Sequence, residues 1–124
     1  MTWMKRTGYY TTKKIGGYDS KFEAGYADNL VLRQKAGDIK SFQSHIAIPL
    51  VVNGYKICDY YIDFVVHHND GTTEYVETKG YPTPVWKLKW RIFLAMFEDD
   101  ESKKITLVMQ GKQKPYKPRK ARKL

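Results

Sequence analysis

At 124 residues the chain is sized for one domain with a single core, and no apolar run approaches the length needed to cross a membrane. The lone cysteine, Cys58, excludes an internal disulfide and a cysteine-based zinc site, and the N-terminus carries no apolar segment of signal-peptide type, so a cytoplasmic protein is expected. The formal charge is +9, of which residues 112–124 hold +7 through Lys112, Lys114, Lys117, Arg119, Lys120, Arg122 and Lys123, with no acid among them. A tail of one sign is expected to be disordered in isolation and to neutralise phosphates, which points to a nucleic acid without saying which. Solubilising, RNA-binding or membrane-binding roles are the competing uses of such a tail.

Taken in order, residues 1–17 read as a basic arm bearing Lys5, Arg6, Lys13 and Lys14 with Trp3, Tyr9 and Tyr10, closed by Gly16-Gly17. A helix is expected from Asp19 to Ala36. Ser20 and Glu23 fit a capping box, Phe22, Tyr26 and Leu30 with Ala27 and Val31 form an apolar stripe, and Gly37 supplies the stop. Phe42 to Val52 alternates as a strand in which Pro49 predicts an edge position, and Asn53-Gly54 is a two-residue hairpin signal. His45 and His67-His68 read as polar surface. The run from Ile57 to His68, the break Asn69-Asp70-Gly71-Thr72, and the run from Thr73 to Lys79 predict a second hairpin. Thr83-Pro84 predicts the start of a helix reaching about Phe97, with Trp86, Trp90, Phe93, Leu94 and Phe97 as core or dimer surface and Lys87 and Arg91 on another face. An acidic loop follows, and Ile105 to Met109 predicts a last strand. The body of the domain thus spans residues 18–111.

The central hairpin carries the chemistry. Alternation along a strand puts Tyr61, Asp63 and Val65 on one face of its first strand and Tyr75, Glu77 and Lys79 on one face of its second. Asp, Glu and Lys are poor strand formers and are rarely buried alone. A hard divalent cation explains the pattern, because Mg²⁺ takes carboxylate oxygens and keeps waters, leaving room for a phosphate and an attacking water. Lys79 is placed to orient that water or to offset charge on the phosphate. The plain alternative is a solvated face with a Glu77–Lys79 ion pair. Glu23 has two readings of the same kind, a helix cap or a third carboxylate near the cation.

Helix, three strands, helix and strand, with Glu on the first helix, Asp on one strand and Glu-x-Lys on the next, resembles the PD-(D/E)XK nuclease core. More closely, Lys13-Lys14, Tyr18-Asp19-Ser20-Lys21-Phe22-Glu23, Gln43, Ile62-Asp63-Phe64, Val76-Glu77-Thr78-Lys79-Gly80 and Lys87-Leu88-Lys89-Trp90 resemble a family of small phage-encoded proteins of that superfamily, often likened to Holliday-junction resolvases. The resemblance covers roughly Lys13 to Val108. It implies an α/β restriction-endonuclease-like core (αβββαβ) with a mixed sheet flanked by helices. It implies Glu23, Asp63, Glu77 and Lys79 as catalytic residues, with Mg²⁺ or Mn²⁺ held by Asp63, Glu77 and the Thr78 backbone carbonyl, joined by Glu23. Gln43 falls where related nucleases place a polar residue. Many relatives in that family have Asp before x-Lys where this chain has Glu77, a difference that bears on metal preference.

The expected function is therefore a magnesium-dependent endodeoxyribonuclease of a phage, acting in the host cytoplasm as a homodimer on four-way DNA junctions, with 5′-phosphate and 3′-hydroxyl products. Lys13, Lys14, Gln43, Lys87, Lys89, Arg91 and the seven tail cations are its expected DNA contacts. The aromatic helix and N-terminal arm are the expected dimer surfaces. The alternatives are a nicking, flap or other structure-specific nuclease, a noncatalytic DNA-binding module, and an RNA binder.

Overall fold

The structure is a computed structural model that describes residues 21–80, 82–109 and 124. The basic arm with Lys13 and Lys14, Ser20 of the capping box, and the tail cations lie outside the described residues. The described elements run α1 (Lys21–Lys35), β1 (Ser41–Val52), β2 (Tyr55–His67), β3 (Thr73–Lys79), α2 (Pro84–Phe97) and β4 (Lys103–Met109). They form an α/β fold with one mixed four-stranded sheet in the order β1-β2-β3-β4, antiparallel except for the parallel β3–β4 pair. That parallel pair requires a crossover, which α2 provides. Among the described residues no helix is long and apolar enough to cross a membrane.

Local chemistry accounts for the boundaries. Helix α1 ends in a Schellman motif: Asp38 N–H donates to the Arg33 carbonyl at 2.9 Å and Gly37 N–H to Gln34 at 3.1 Å, with Gly37 at φ 83°. Asn53 (φ 53°) and Gly54 (φ 85°) make the left-handed turn between β1 and β2. Asp70 accepts from the Thr72 N–H and hydroxyl in the next turn, where Gly71 has φ 92°. Thr83 caps α2 by accepting from Trp86 N–H at 3.2 Å, with Pro84 as the first helical residue. Strand β1 is an edge strand, which suits Pro49.

Two clusters cover the two faces of the sheet. Ala27 and Leu30 of α1 pack with Ile39, Phe64, Val66, Val76 and Val108. Trp86, Trp90, Phe93 and Leu94 of α2 pack with Leu50, Tyr60, Ile62, Val65, Tyr75 and Leu107. The aromatic stripe of α2 is therefore core and not dimer surface. Val31, expected in the α1 stripe, is exposed, because the buried line follows Glu23, Ala27 and Leu30.

Strict alternation fails at one level of the hairpin. Tyr60 and Ile62 belong to the α2 cluster, whereas Phe64 and Val66 belong to the α1 cluster, although all four are even-numbered. Strand β1 switches at the same level, with Ile46 and Ile48 toward α2 and Phe42 toward α1. Between them stands His45 at φ 54°, and the residues on either side pair Ser44 with Phe64 and Ile46 with Ile62. Tyr61, Asp63 and Val65 accordingly do not share a face as alternation predicted: Tyr61 is 62% exposed while Val65 is buried under α2.

The sheet also forks here. Strand β2 pairs with β3 only from Phe64↔Val76 to His67↔Thr73. Beyond that level Tyr55–Ile62 pairs with β1, and Glu77, Thr78 and Lys79 pair with β4. Phe93, fully buried among Tyr60, Tyr75, Trp90 and Phe97, anchors the α2 side of the fork. Phe93→Ala is expected to cost about 3–5 kcal/mol, and Leu32→Ala on the exposed side of α1 less than about 0.5 kcal/mol. Urea denaturation of both variants checks the difference.

Candidate active site

The fork leaves Thr78 without a partner on β2, and the Asp63 side chain fills the gap. Asp63 Oδ2 accepts from the Thr78 backbone N–H at 2.9 Å and from its hydroxyl at 2.7 Å. A backbone donor this buried must find an acceptor, and here a carboxylate takes the place of a strand carbonyl. Asp63 is thereby fixed through one oxygen. Thr78 takes part through its N–H and hydroxyl.

Glu77 lies on the α2 side with Tyr75 and Lys79, as alternation along β3 predicted. It is 4% exposed, and its Oε1 is buried without a hydrogen-bond partner. Burial, then the Asp63 charge, pushes its carboxyl up to about 8 against the pull of a Tyr60 hydrogen bond and Lys79. Burial likewise raises Asp63, opposed by the two Thr78 hydrogen bonds, His45 and Lys79. Lys79 Nζ sits 3.9 Å from Glu77 Oε2 and 5.0 Å from the centre of the Trp86 ring, so a carboxyl group and an aromatic face hold it together. Tyr60, whose hydroxyl accepts from Trp86 Nε1 at 3.0 Å, is raised strongly by burial and by Glu77 and stays a neutral donor beside it.

From the other direction, α1 delivers Glu23, 5% exposed, with its Oε2 3.2 Å from His45 Nε2. One donor atom from each of Glu23, His45 and Asp63 falls within a 4.8 Å group, and Glu77 lies outside that group. Asp63 is thus shared between a Glu23–His45 side and a Glu77–Lys79 side. The position of Glu23 supports its reading as a third carboxylate. Asp63 beside the unpartnered Glu77 oxygen on one side and within reach of Glu23 and His45 on the other gives donors that suit a divalent cation.

Other expected contacts are dispersed. Gln43 is exposed and its Oε1 meets His67 Nε2 at 3.0 Å. Lys89 donates to the Asp59 carbonyl at 3.4 Å, and Arg91 is half-buried with its Nε covered, which leaves Lys87 as the exposed cation of that helix. His45 was expected as polar surface, and sequence reasoning missed its place. Counting register from the Asn53-Gly54 turn sets it opposite Ile62. A bulge between Leu50 and Val51 shifts the count by one and brings it level with Asp63.

The features define a small α/β domain whose sheet forks around a buried carboxylate–lysine site, with a helix lending a side chain from each side. The chain belongs to the family described as protein of unknown function (DUF1064), whose model matches residues 7–113. No curated protein and no solved structure matches it.

The raised carboxyls fix a pH dependence. A carboxyl whose folded value lies above its unfolded value keeps its proton in the fold, so stability is highest below the unfolded value and falls as pH rises toward about 8. Without added metal, the protein is expected to lose stability on the order of a few kcal/mol between pH 5 and pH 8 from this group. Glu77→Gln is expected to flatten that slope, as measured by urea denaturation across the pH range.

Proposed function

We propose that this protein is a metal-dependent endodeoxyribonuclease that hydrolyses phosphodiester bonds in branched DNA, with four-way junctions as its substrate. The observation that carries the proposal is the fork itself, where Asp63, Glu77 and Lys79 converge from adjacent strands and Glu23 enters from α1. A structural ion pair alone would not account for an orphaned carboxylate oxygen beside a second, part-buried carboxylate.

Asp63 and Glu77, with the Thr78 carbonyl and Glu23, would hold Mg²⁺ or Mn²⁺. When bound, such an ion supplies charge to offset that of the phosphate and lowers the pKa of a nearby water. The protein's own residues set the geometry. Thr78 fixes Asp63, and Tyr60 donates to Glu77. Lys79, braced between Glu77 and Trp86, is placed to orient the attacking water and to stabilise charge building on the phosphate oxygens. Lys87 and the basic residues of the arm and tail would track the DNA backbone. Symmetric cutting of a junction calls for a two-fold dimer, with the N-terminal arm as its remaining candidate surface.

An end-labelled immobile four-way junction beside linear duplex of the same arms tests the reading. Paired symmetric cuts in the junction are expected with Mg²⁺ and none with EDTA. Glu77→Gln and Lys79→Ala are each expected to slow cutting by roughly a hundredfold or more. Cuts in a flap or nick instead would change the substrate, and binding without cleavage under any metal would leave only a DNA-binding module. Truncation after Gly111 is expected to lower affinity and flatten its salt dependence, by about one unit of slope for each phosphate that the tail no longer neutralises. Binding titrations at several salt concentrations check this.

A further inference from the structure

His45 has no role in the reading above, yet its backbone is the most unusual in the sheet. It stands at φ 54° in the middle of a twelve-residue strand, a conformation that a non-glycine residue adopts at a cost of about 1–2 kcal/mol. Such conformations persist where the surroundings hold them, and they cluster at sites of function. The consequence here is specific. The ring is brought level with Asp63, and Nε2 lies 3.2 Å from Glu23 Oε2.

That spacing is informative. Two donors bound to one ion at about 2.1 Å each, at right angles, stand roughly 3 Å apart. The full group of one nitrogen and two carboxylate oxygens lies within 4.8 Å, so small side-chain adjustments would bring all three onto one ion. The His45 side chain is 40% exposed, which leaves the outer side of the group open to water or a phosphate oxygen. A second observation also calls for a cation: Glu77 Oε1, buried without a hydrogen-bond partner beside Asp63.

We infer that Glu23, His45 and Asp63 form a mixed nitrogen–oxygen cation site in which His45 is a direct ligand, so that the protein prefers a transition ion such as Mn²⁺ to Mg²⁺. The reason lies in the ligand: carboxylates suit Mg²⁺ and Mn²⁺ alike, whereas imidazole nitrogen adds affinity for transition ions and little for Mg²⁺. The rival arrangement is an ion pair in which a protonated His45 takes the place of the cation against Glu23. The inference deepens the proposed nuclease site, but its test needs no cleavage.

The full chain, freed of metal, is titrated calorimetrically with Mn²⁺ and with Mg²⁺, and the Mn²⁺ form is examined by pulsed EPR for coupling to ¹⁴N. His45→Asn is the variant of choice, because Asn tolerates the left-handed backbone and removes the imidazole. Wild type is expected to bind Mn²⁺ at least tenfold more tightly than Mg²⁺ and to show nitrogen coupling. His45→Asn should lose the coupling and bind Mn²⁺ at least tenfold more weakly, with Mg²⁺ affinity changed less than threefold. Bound Mn²⁺ without nitrogen coupling, equal weakening of both ions, or no Mn²⁺ binding would each overturn the inference. If His45→Asn does not fold, the wild-type nitrogen coupling decides. Nitrogen coupling in a protein that cuts no DNA would uphold this site and remove the nuclease reading; metal-dependent cutting without nitrogen coupling would do the reverse.

Discussion

The hydrogen bonds from Thr78 to Asp63 are what the rest of the site depends on. Where β2 and β3 part, Thr78 would be left with a buried N–H and no strand to receive it. A carboxylate answers that need, and in doing so it is drawn into the fork beside Glu77. Burial raises both carboxyls, and the charge of the part-buried Asp63 pushes Glu77 up further. The charge imbalance is relieved only in part by Lys79 and His45, which approach from opposite sides.

Strand β3 carries two buried glutamates, and their surroundings differ. Glu74 meets His68 Nε2 at 2.7 Å with one oxygen and receives the Thr106 hydroxyl on the other. Both of its oxygens are satisfied inside the fold, so it serves to tie the turn after β2 to β4. Glu77, three residues on, has one oxygen with no partner. Burial alone therefore does not mark a site; an unfilled acceptor beside a second acid does.

Much of this was legible in the sequence because it rests on short-range chemistry. Gly37, Asn53-Gly54, Asp70-Gly71 and Thr83-Pro84 each specify a local conformation, and all four ended or began an element where expected. The mixed sheet was an implication of the family resemblance, and the association of Glu77 with Lys79 followed from their spacing along one strand. The face switch was not legible. Period-two reasoning assumes an unbroken pleat, whereas β1 carries a bulge after Leu50 and a left-handed residue at His45, neither of which any turn residue signals. For the same reason the place of His45 was hidden. The capping reading of Glu23 drew on neighbours within one turn, whereas its contact with His45 comes from a residue 22 positions away; Ser20, the other half of the cap, lies outside the described residues.

The face switch governs how the site is assembled. Below the fork, β2 gives Phe64 and Val66 to the α1 side; above it, Tyr60 and Ile62 to the α2 side. Asp63 sits at the crossing point of two cores that are otherwise separate. Glu23 is carried by the helix of one core, whereas Trp86 and the Tyr60 hydroxyl that steady Lys79 and Glu77 belong to the other. Neither core alone brings the four candidate side chains together. Placement of the acids is therefore a property of the whole sheet and both helices: displacement of α1 would take Glu23 from Asp63, and displacement of α2 would take Trp86 from Lys79, while leaving the strands paired.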